Sequence, residues 1–298
     1  MNDIKKILEE RLGSGIHINR TQNGVSSTVF SVEYGDQTDY FRVGYDEQES
    51  YKLDVILFET LTDMGARVPQ PVFFEEFNNT LKRSVLLTKA IPGEPVHGID
   101  VDDSVLFGAG ADLARLASIP AKGFGRISRR QGDREFVGEN EDYCSLLKER
   151  LVSQSEILTK HGLLTSQQIE NLYAILEKYR KHPEFAEGHL AHGDYSKHHI
   201  FCKDGKYTGM IDFGDLSSGS RLYDLATYKI YEDSGFEALL NGFKSIQSIP
   251  EDYEDIINFE IIFQVLMHTA WRLQGKERKE DFMDNLFLQI GQLIEKIK

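Results

Sequence analysis

Between His189 and Asp224 the chain reads HLAHGDYSKHHIFCKDGKYTGMIDFGDLSSGSRLYD, two short charged turns with a strand-like hairpin between them. His192-Gly193-Asp194 opens a loop after the apolar His189-Leu190-Ala191, and Asp212-Phe213-Gly214 closes the strand Tyr207-Thr208-Gly209-Met210-Ile211. Alone, either turn reads as a loop capped by its own aspartate. Together, eighteen residues apart, they can set one acid beside a reacting hydroxyl and another beside a metal-bound phosphate.

The remaining elements say what carries that stretch. Residues 2 to 12 place Ile4, Ile7, Leu8 and Leu12 on one helical face. Strand-like alternation follows at 16–20, 29–34 and 39–43, the last after a Gly35-Asp36 turn. A helix over 47–64 carries Leu53, Ile56, Leu57 and Leu61, and Gly65 ends it. Strands are expected at 72–76 and 83–89, and Ile91-Pro92-Gly93-Glu94-Pro95 then marks a crossing. Helices follow at 104–119, 142–158 and 166–180, an exposed loop at 121–141, and helix again from Phe236 to the end. The prediction is an α+β, two-lobed protein. Residues 1–90 would be a nucleotide-binding lobe, 91–95 a hinge, and 96–298 a helical lobe with its catalytic core at 189–226.

A formal charge of −14 makes nucleic acid an improbable partner and suits a cationic ligand. Cys144 and Cys202 lie in no metal or disulfide spacing. The opening MNDIKKILEERL is an acid-containing amphipathic helix, unlike a signal peptide. IINFEIIFQVLMHTAW is interrupted by Asn258, Glu260, Gln264 and His268, so no membrane span is expected. These features predict a cytoplasmic, monomeric protein.

Asp194 is the candidate catalytic acid–base, because phosphoryl transfer needs little from protein beyond a carboxylate that positions the hydroxyl and accepts its proton. Asp212 is the candidate metal ligand, since Mg²⁺ takes one or two protein carboxylates and completes its shell with phosphate and water. His189, His192, His198 and His199 crowd eleven residues, but their spacing fits no zinc motif. His199 is instead expected to share the cleft with Asp212. Arg42 and Asp54 form a candidate cation–carboxylate pair steadying phosphates. Asn23-Gly24 with Ser26 and Ser27 can fold over phosphates, as Gly24 permits close approach. Asp215, Glu232 and Asp233 begin an acidic run able to concentrate a polyamine.

HGDYSKHH at 192–199, MIDFGD at 210–215 and YDLA at 223–226 resemble the core of the aminoglycoside phosphotransferases, a family with a protein-kinase-like fold. Ala90 to Pro95, Gly65-Ala66-Arg67-Val68-Pro69 and Phe41-Arg42-Val43 follow the same family's order, so the resemblance spans most of the chain. It implies that Asp194 orients the acceptor hydroxyl, that Asp212 binds Mg²⁺, and that Asp224 braces the catalytic loop. It also implies that Lys89, Ala90 and Ile91 meet the purine of ATP or GTP, and that Asn23 to Ser27 position its phosphates. The position five after Asp194, an Asn in most of the family, is His199. That substitution resembles the branch acting on the 2″-hydroxyl of gentamicin-type aminoglycosides; macrolide phosphotransferases carry it too. Arg42 and Asp54 stand where the family has lysine and glutamate. The resemblance thus implies a small-molecule kinase with an aminoglycoside-like acceptor, held in part by Asp194, Asp215, Glu232 and Asp233. The alternatives are a macrolide or other metabolite kinase, or a pseudokinase that binds nucleotide without turnover.

Overall fold

Period-two apolar residues build the N-terminal lobe. The computed structural model describes residues 1–21, 28–232, 234–274 and 291–295. Asn23, Gly24, Ser26, Ser27 and Asp233 lie outside the described residues. After helix α1 (Asn2–Leu12) come β1 (His17–Arg20), β2 (Thr28–Tyr34) and β3 (Gln37–Val43). Helix α2 (Lys52–Asp63), β4 (Pro71–Asn78) and β5 (Arg83–Lys89) follow, giving a five-stranded sheet in the order β1-β2-β3-β5-β4. Inward residues Phe30, Val32, Phe41, Val85 and Leu87 pack with Ile4 and Leu8 of α1 into a small core. The β2–β3 pairing, Thr28 opposite Val43, sets Arg42 on the third strand.

Helix α2 starts five residues later than its apolar pattern suggested. Asp46 Oδ1 accepts the Gln48 and Glu49 N–H groups at 2.8 and 2.9 Å, and the Tyr51 N–H donates to Ser84 Oγ at 3.1 Å. Those side chains satisfy backbone donors that a helical turn would have used. The buried face of α2, including Leu53, Leu57, Phe58 and Leu61, joins the large core of the other lobe rather than the small one.

That larger lobe holds β6 (Glu94–Pro95), α3 (Asp103–Ala117), β7 (Pro120–Ala121), β8 (Gly125–Arg126), α4 (Tyr143–Lys160) and α5 (Ser166–Tyr179). Next come β9 (Gly188–Ala191), β10 (Ile200–Lys203), β11 (Lys206–Met210), β12 (Ser217–Gly219), α6 (Tyr223–Tyr231), α7 (Phe236–Lys244) and α8 (Tyr253–Gln274). Strands β10 and β11 form the expected hairpin, and β6, the end of the crossing, adds to its edge. Gly93 has φ of 98° and a Cβ there would lie 1.9 Å from the Cys202 carbonyl oxygen, so only glycine lets the crossing lie on the hairpin. Among the described residues, no helix is long and apolar enough to cross a membrane.

The segment 121–141, expected as an exposed loop, is structural. It buries Phe124 and Ile127, and β8 pairs with β12. Its distal part bonds to the N-terminal lobe: the Ser50 N–H donates to the Arg129 carbonyl at 3.0 Å, and the Gln131 N–H to that of Gln48 at 2.7 Å. The Gly132 N–H donates to Glu76 at 3.0 Å and Arg134 pairs with the same carboxylate at 2.9 Å. Its glycines and charges resemble solvent-facing composition, yet Arg129, Arg130 and Arg134 have carboxylate partners in the N-terminal lobe.

Helix α8 carries the fully buried Glu260, which accepts hydrogen bonds of 2.6 Å from Tyr143 and from Ser220. Burial pushes this carboxyl up to about 7, the two hydroxyls opposing. The folded protein therefore holds this proton more tightly than the unfolded chain, so its ionisation subtracts stability as pH rises from about 4.5 to about 7. Glu260→Gln keeps the size without the charge. Its stability relative to the parent should increase across that interval, read from urea unfolding at pH 4.5 and 7.5; a pH-independent difference would refute this.

Candidate active site

At the N-terminal end of α6 the buried carboxylate of Asp224 accepts the backbone N–H of His192 at 2.6 Å and that of Gly193 at 2.9 Å. Burial pushes Asp224 up to about 7, against the lowering effect of those two donors. The loop that carries Asp194 is thereby held by its backbone. Gly193 has φ of 88°, and a Cβ there would meet the Asp215 carbonyl oxygen at 2.0 Å. That close approach locks the Asp194 loop against the turn after Asp212.

The His192 ring joins the same two turns. Its Nε2–H donates to the Ile211 carbonyl at 2.8 Å, and it packs on Phe213 with centroids 4.9 Å apart. Burial pushes His192 down to about 3, so it is a neutral strut. His199 completes the arrangement. Its Nδ1–H donates to the Asp194 carbonyl at 2.6 Å, and its Nε2 lies 3.8 Å from Asp212 Oδ2.

Asp212 adopts a left-handed backbone, φ 65° and ψ 63°, which turns its carboxylate, 59% exposed, toward a cleft of about 1080 Å³. Arg42, Lys89 and Ile91 of the sheet lobe line this cleft with Asp194, His199, Asp212 and Asp215 of the helical lobe. Burial raises the Asp194 carboxyl above its ordinary value; His199 opposes that shift, while Asp215 and Asp212 add to it. Ala90 adjoins the lining residues Lys89 and Ile91.

Two expected neighbours lie elsewhere. Asp54 is buried, and among the described residues its ion pair is with Arg129 at 3.5 Å, not with Arg42. Glu232 is engaged by Lys197 Nζ and by His97 Nδ1, each at 3.6 Å. The histidines diverge: His198 stacks on His97 at 3.7 Å, and His189 lines a separate groove with His182 and Arg221. No group of three or more His, Cys, Asp or Glu able to hold a metal occurs among the described residues. Arg129 and Arg126 were missed as cleft residues, and the Arg126 to Arg130 cluster within a glycine-rich segment was the only trace of them in the sequence.

Over 87 residues the chain is 34% identical to an aminoglycoside 3'-phosphotransferase of Enterococcus faecalis, and 33% to one of Staphylococcus aureus. Those stretches are 28% of this chain and 32% of each relative, so the chain matches about a third of the length of these curated relatives. A solved thermostable mutant of the aminoglycoside phosphotransferase APH(4)-Ia superposes with a TM-score of 0.68 at 15% identity, over 98% of both chains. Another structure of that enzyme, with a TM-score of 0.65 at 15% identity over 98% of both chains, is a ternary complex with ADP and hygromycin B. A putative fructosamine-3-kinase from Thermobifida fusca superposes with a TM-score of 0.69 at 14% identity, over 99% of both chains. At such identities the likeness establishes the protein-kinase-like fold, a β-sheet lobe on a helical lobe. Residues 17–254 match the phosphotransferase enzyme family, and since that is most of the chain, the protein belongs to this family.

Proposed function

We propose that this chain is a small-molecule kinase transferring the γ-phosphate of ATP or GTP to a hydroxyl of an aminoglycoside-like compound. The observation that carries the reading is Asp194 and Asp212 on one wall of a cleft whose other wall offers Arg42 and Lys89. Residues 1–90 would hold the nucleotide, 91–95 the hinge between lobes, and 96–298 the acceptor. The backbone groups of Ala90 and Ile91 make no backbone hydrogen bond among the described residues, which suits contacts to a purine. Arg42 and Lys89 would bind phosphate oxygens.

An acceptor hydroxyl placed between Asp194 and the γ-phosphate donates its hydrogen to the carboxylate, which orients the oxygen for in-line attack. The raised Asp194 carboxyl is matched to taking that proton as the oxygen–phosphorus bond forms. Mg²⁺ fits the exposed carboxylate of Asp212, a hard oxygen donor, with His199 Nε2 directed at the same carboxylate. With fewer than three protein ligands grouped there among the described residues, its remaining positions suit phosphate oxygens and water. Bound there, it would neutralise charge on the transferring group.

His199 supports the 2″-phosphorylating branch within the family, and Asp215, 60% exposed and loosely paired with Arg126 at 3.6 Å, gives the acceptor side a carboxylate for an ammonium group. Glu232 is a weaker candidate, being already neutralised by Lys197 and His97. An exposed carboxylate on the acceptor side favours an amino sugar over a macrolide.

Asp194→Ala and Asp194→Asn should fold normally and lose about 10²–10⁴-fold in transfer, measured with labelled ATP and GTP against aminoglycosides, macrolides and amino alcohols. A folded variant with parental turnover would overturn the assignment; parental protein that binds nucleotide but phosphorylates nothing in the panel would point to a pseudokinase. His199→Ala should raise the Mg²⁺ concentration for half-maximal rate by roughly tenfold. An unchanged Mg²⁺ requirement would remove His199 from the metal's surroundings.

A further inference from the structure

Arg129 reaches three things at once. Its Nη2 lies 3.5 Å from Asp54 Oδ1 on α2, and it donates to the carbonyl oxygens of Phe213 and of Gly214, the latter at 3.3 Å. Phe213 and Gly214 are the two residues after Asp212, so one guanidinium touches both the N-lobe helix and the turn that aims the candidate metal ligand. Arg129 belongs to neither element. It comes from the 121–141 segment, whose backbone is pinned beside α2 by the bond from the Ser50 N–H. Phe58 of α2 adds an edge-to-face contact with Phe213, centroids 5.4 Å apart.

Burial makes these contacts consequential. The Asp54 side chain is fully buried, and among the described residues Arg129 is its one cation. Neither Asp54 oxygen has a hydrogen-bond donor there, so its charge depends on this guanidinium. Arg42, which the sequence offered as the partner of Asp54, has no ion pair among the described residues, and its Nε is buried without a hydrogen bond. The guanidinium reaches the two carbonyls from two separate nitrogens, Nη1 and Nη2, a spread that the single nitrogen of a lysine ammonium does not have.

We propose that Arg129 is a positioning residue: it fixes Asp54 and the backbone of Phe213 and Gly214 in one arrangement, and so leaves Arg42 to the phosphates of the donor. Helix α2 and the Asp212 turn are then in place before nucleotide arrives. The consequence for metal and phosphate binding rests on the kinase reading above, whereas the mechanical role does not.

The test compares Arg129→Gln, Arg129→Lys, the double variant Arg129→Gln/Asp54→Asn, and Arg42→Ala in the full chain. Hydrogen exchange of 52–58 and 211–216 reads the mechanical role. Nucleotide affinity with and without Mg²⁺ reads the site. Arg129→Gln should speed exchange in both segments and reduce the Mg²⁺-dependent gain in nucleotide affinity by roughly tenfold. Arg129→Lys should recover thermal stability but neither of those properties. The double variant removes both buried charges and so serves if Arg129→Gln does not fold; it should keep the exchange defect. Arg42→Ala should weaken nucleotide binding while exchange in 211–216 stays as in the parent. Parental exchange and Mg²⁺ response in the folded Arg129 variants would overturn the proposal, as would loosening of 211–216 by Arg42→Ala. A parent that binds Mg²⁺–nucleotide but phosphorylates no acceptor would defeat the functional reading alone, because exchange and binding still decide the role of Arg129.

Discussion

A carboxylate taken out of water is costly unless donors replace its hydration, and Asp224 is organised around that requirement. Two backbone N–H groups replace the water, and hydrogen bonds to a charged acceptor contribute about 1.5–3 kcal/mol each. Both donors belong to the His192-Gly193 turn, so satisfying Asp224 defines the backbone path into Asp194. The His192 ring then carries the constraint onward to Ile211, the residue before Asp212. One buried acid thus sets the relative position of the two acids that line the cleft. Burial raises its proton affinity, and the two N–H groups oppose that rise.

The lobes are joined more firmly than the proline-flanked crossing suggests. Helix α2 belongs to the N-terminal lobe by chain order, but its apolar face lies in the larger core, with Phe58 against Phe213. Residues 129–134 bond back to 48–50 and to Glu76 from the other side. The crossing at 91–95 is a change in chain direction, not a gap in packing.

Charge is distributed against the average. The chain is strongly acidic overall, yet the cleft gathers Arg42, Lys89, Arg126, Arg129 and Arg130 around its carboxylates. A triphosphate needs cations close by, and net charge says nothing about such local concentration. Arg130 and Arg126 are partly engaged, by Asp46 and Asp215 at 3.5 and 3.6 Å. Those surface pairs are weak enough to exchange for a ligand.

The sequence by itself determined the two-lobed α+β order, the hairpin, and the pairing of Asp194 with Asp212, because period, turn residues and strand length are local properties. Asp224 was legible as a brace through family resemblance alone. The partner of Asp54 was not legible, since a buried carboxylate takes whichever cation the fold brings near, and here that cation lies 75 residues away in an apparent loop. The withdrawal of Glu232 toward Lys197 and His97 was hidden for the same reason. Local pattern singled out the candidate residues. Only the tertiary structure decided which charges are spent on one another and which are left facing the cleft, because ion pairing depends on distances in space that sequence separation does not encode.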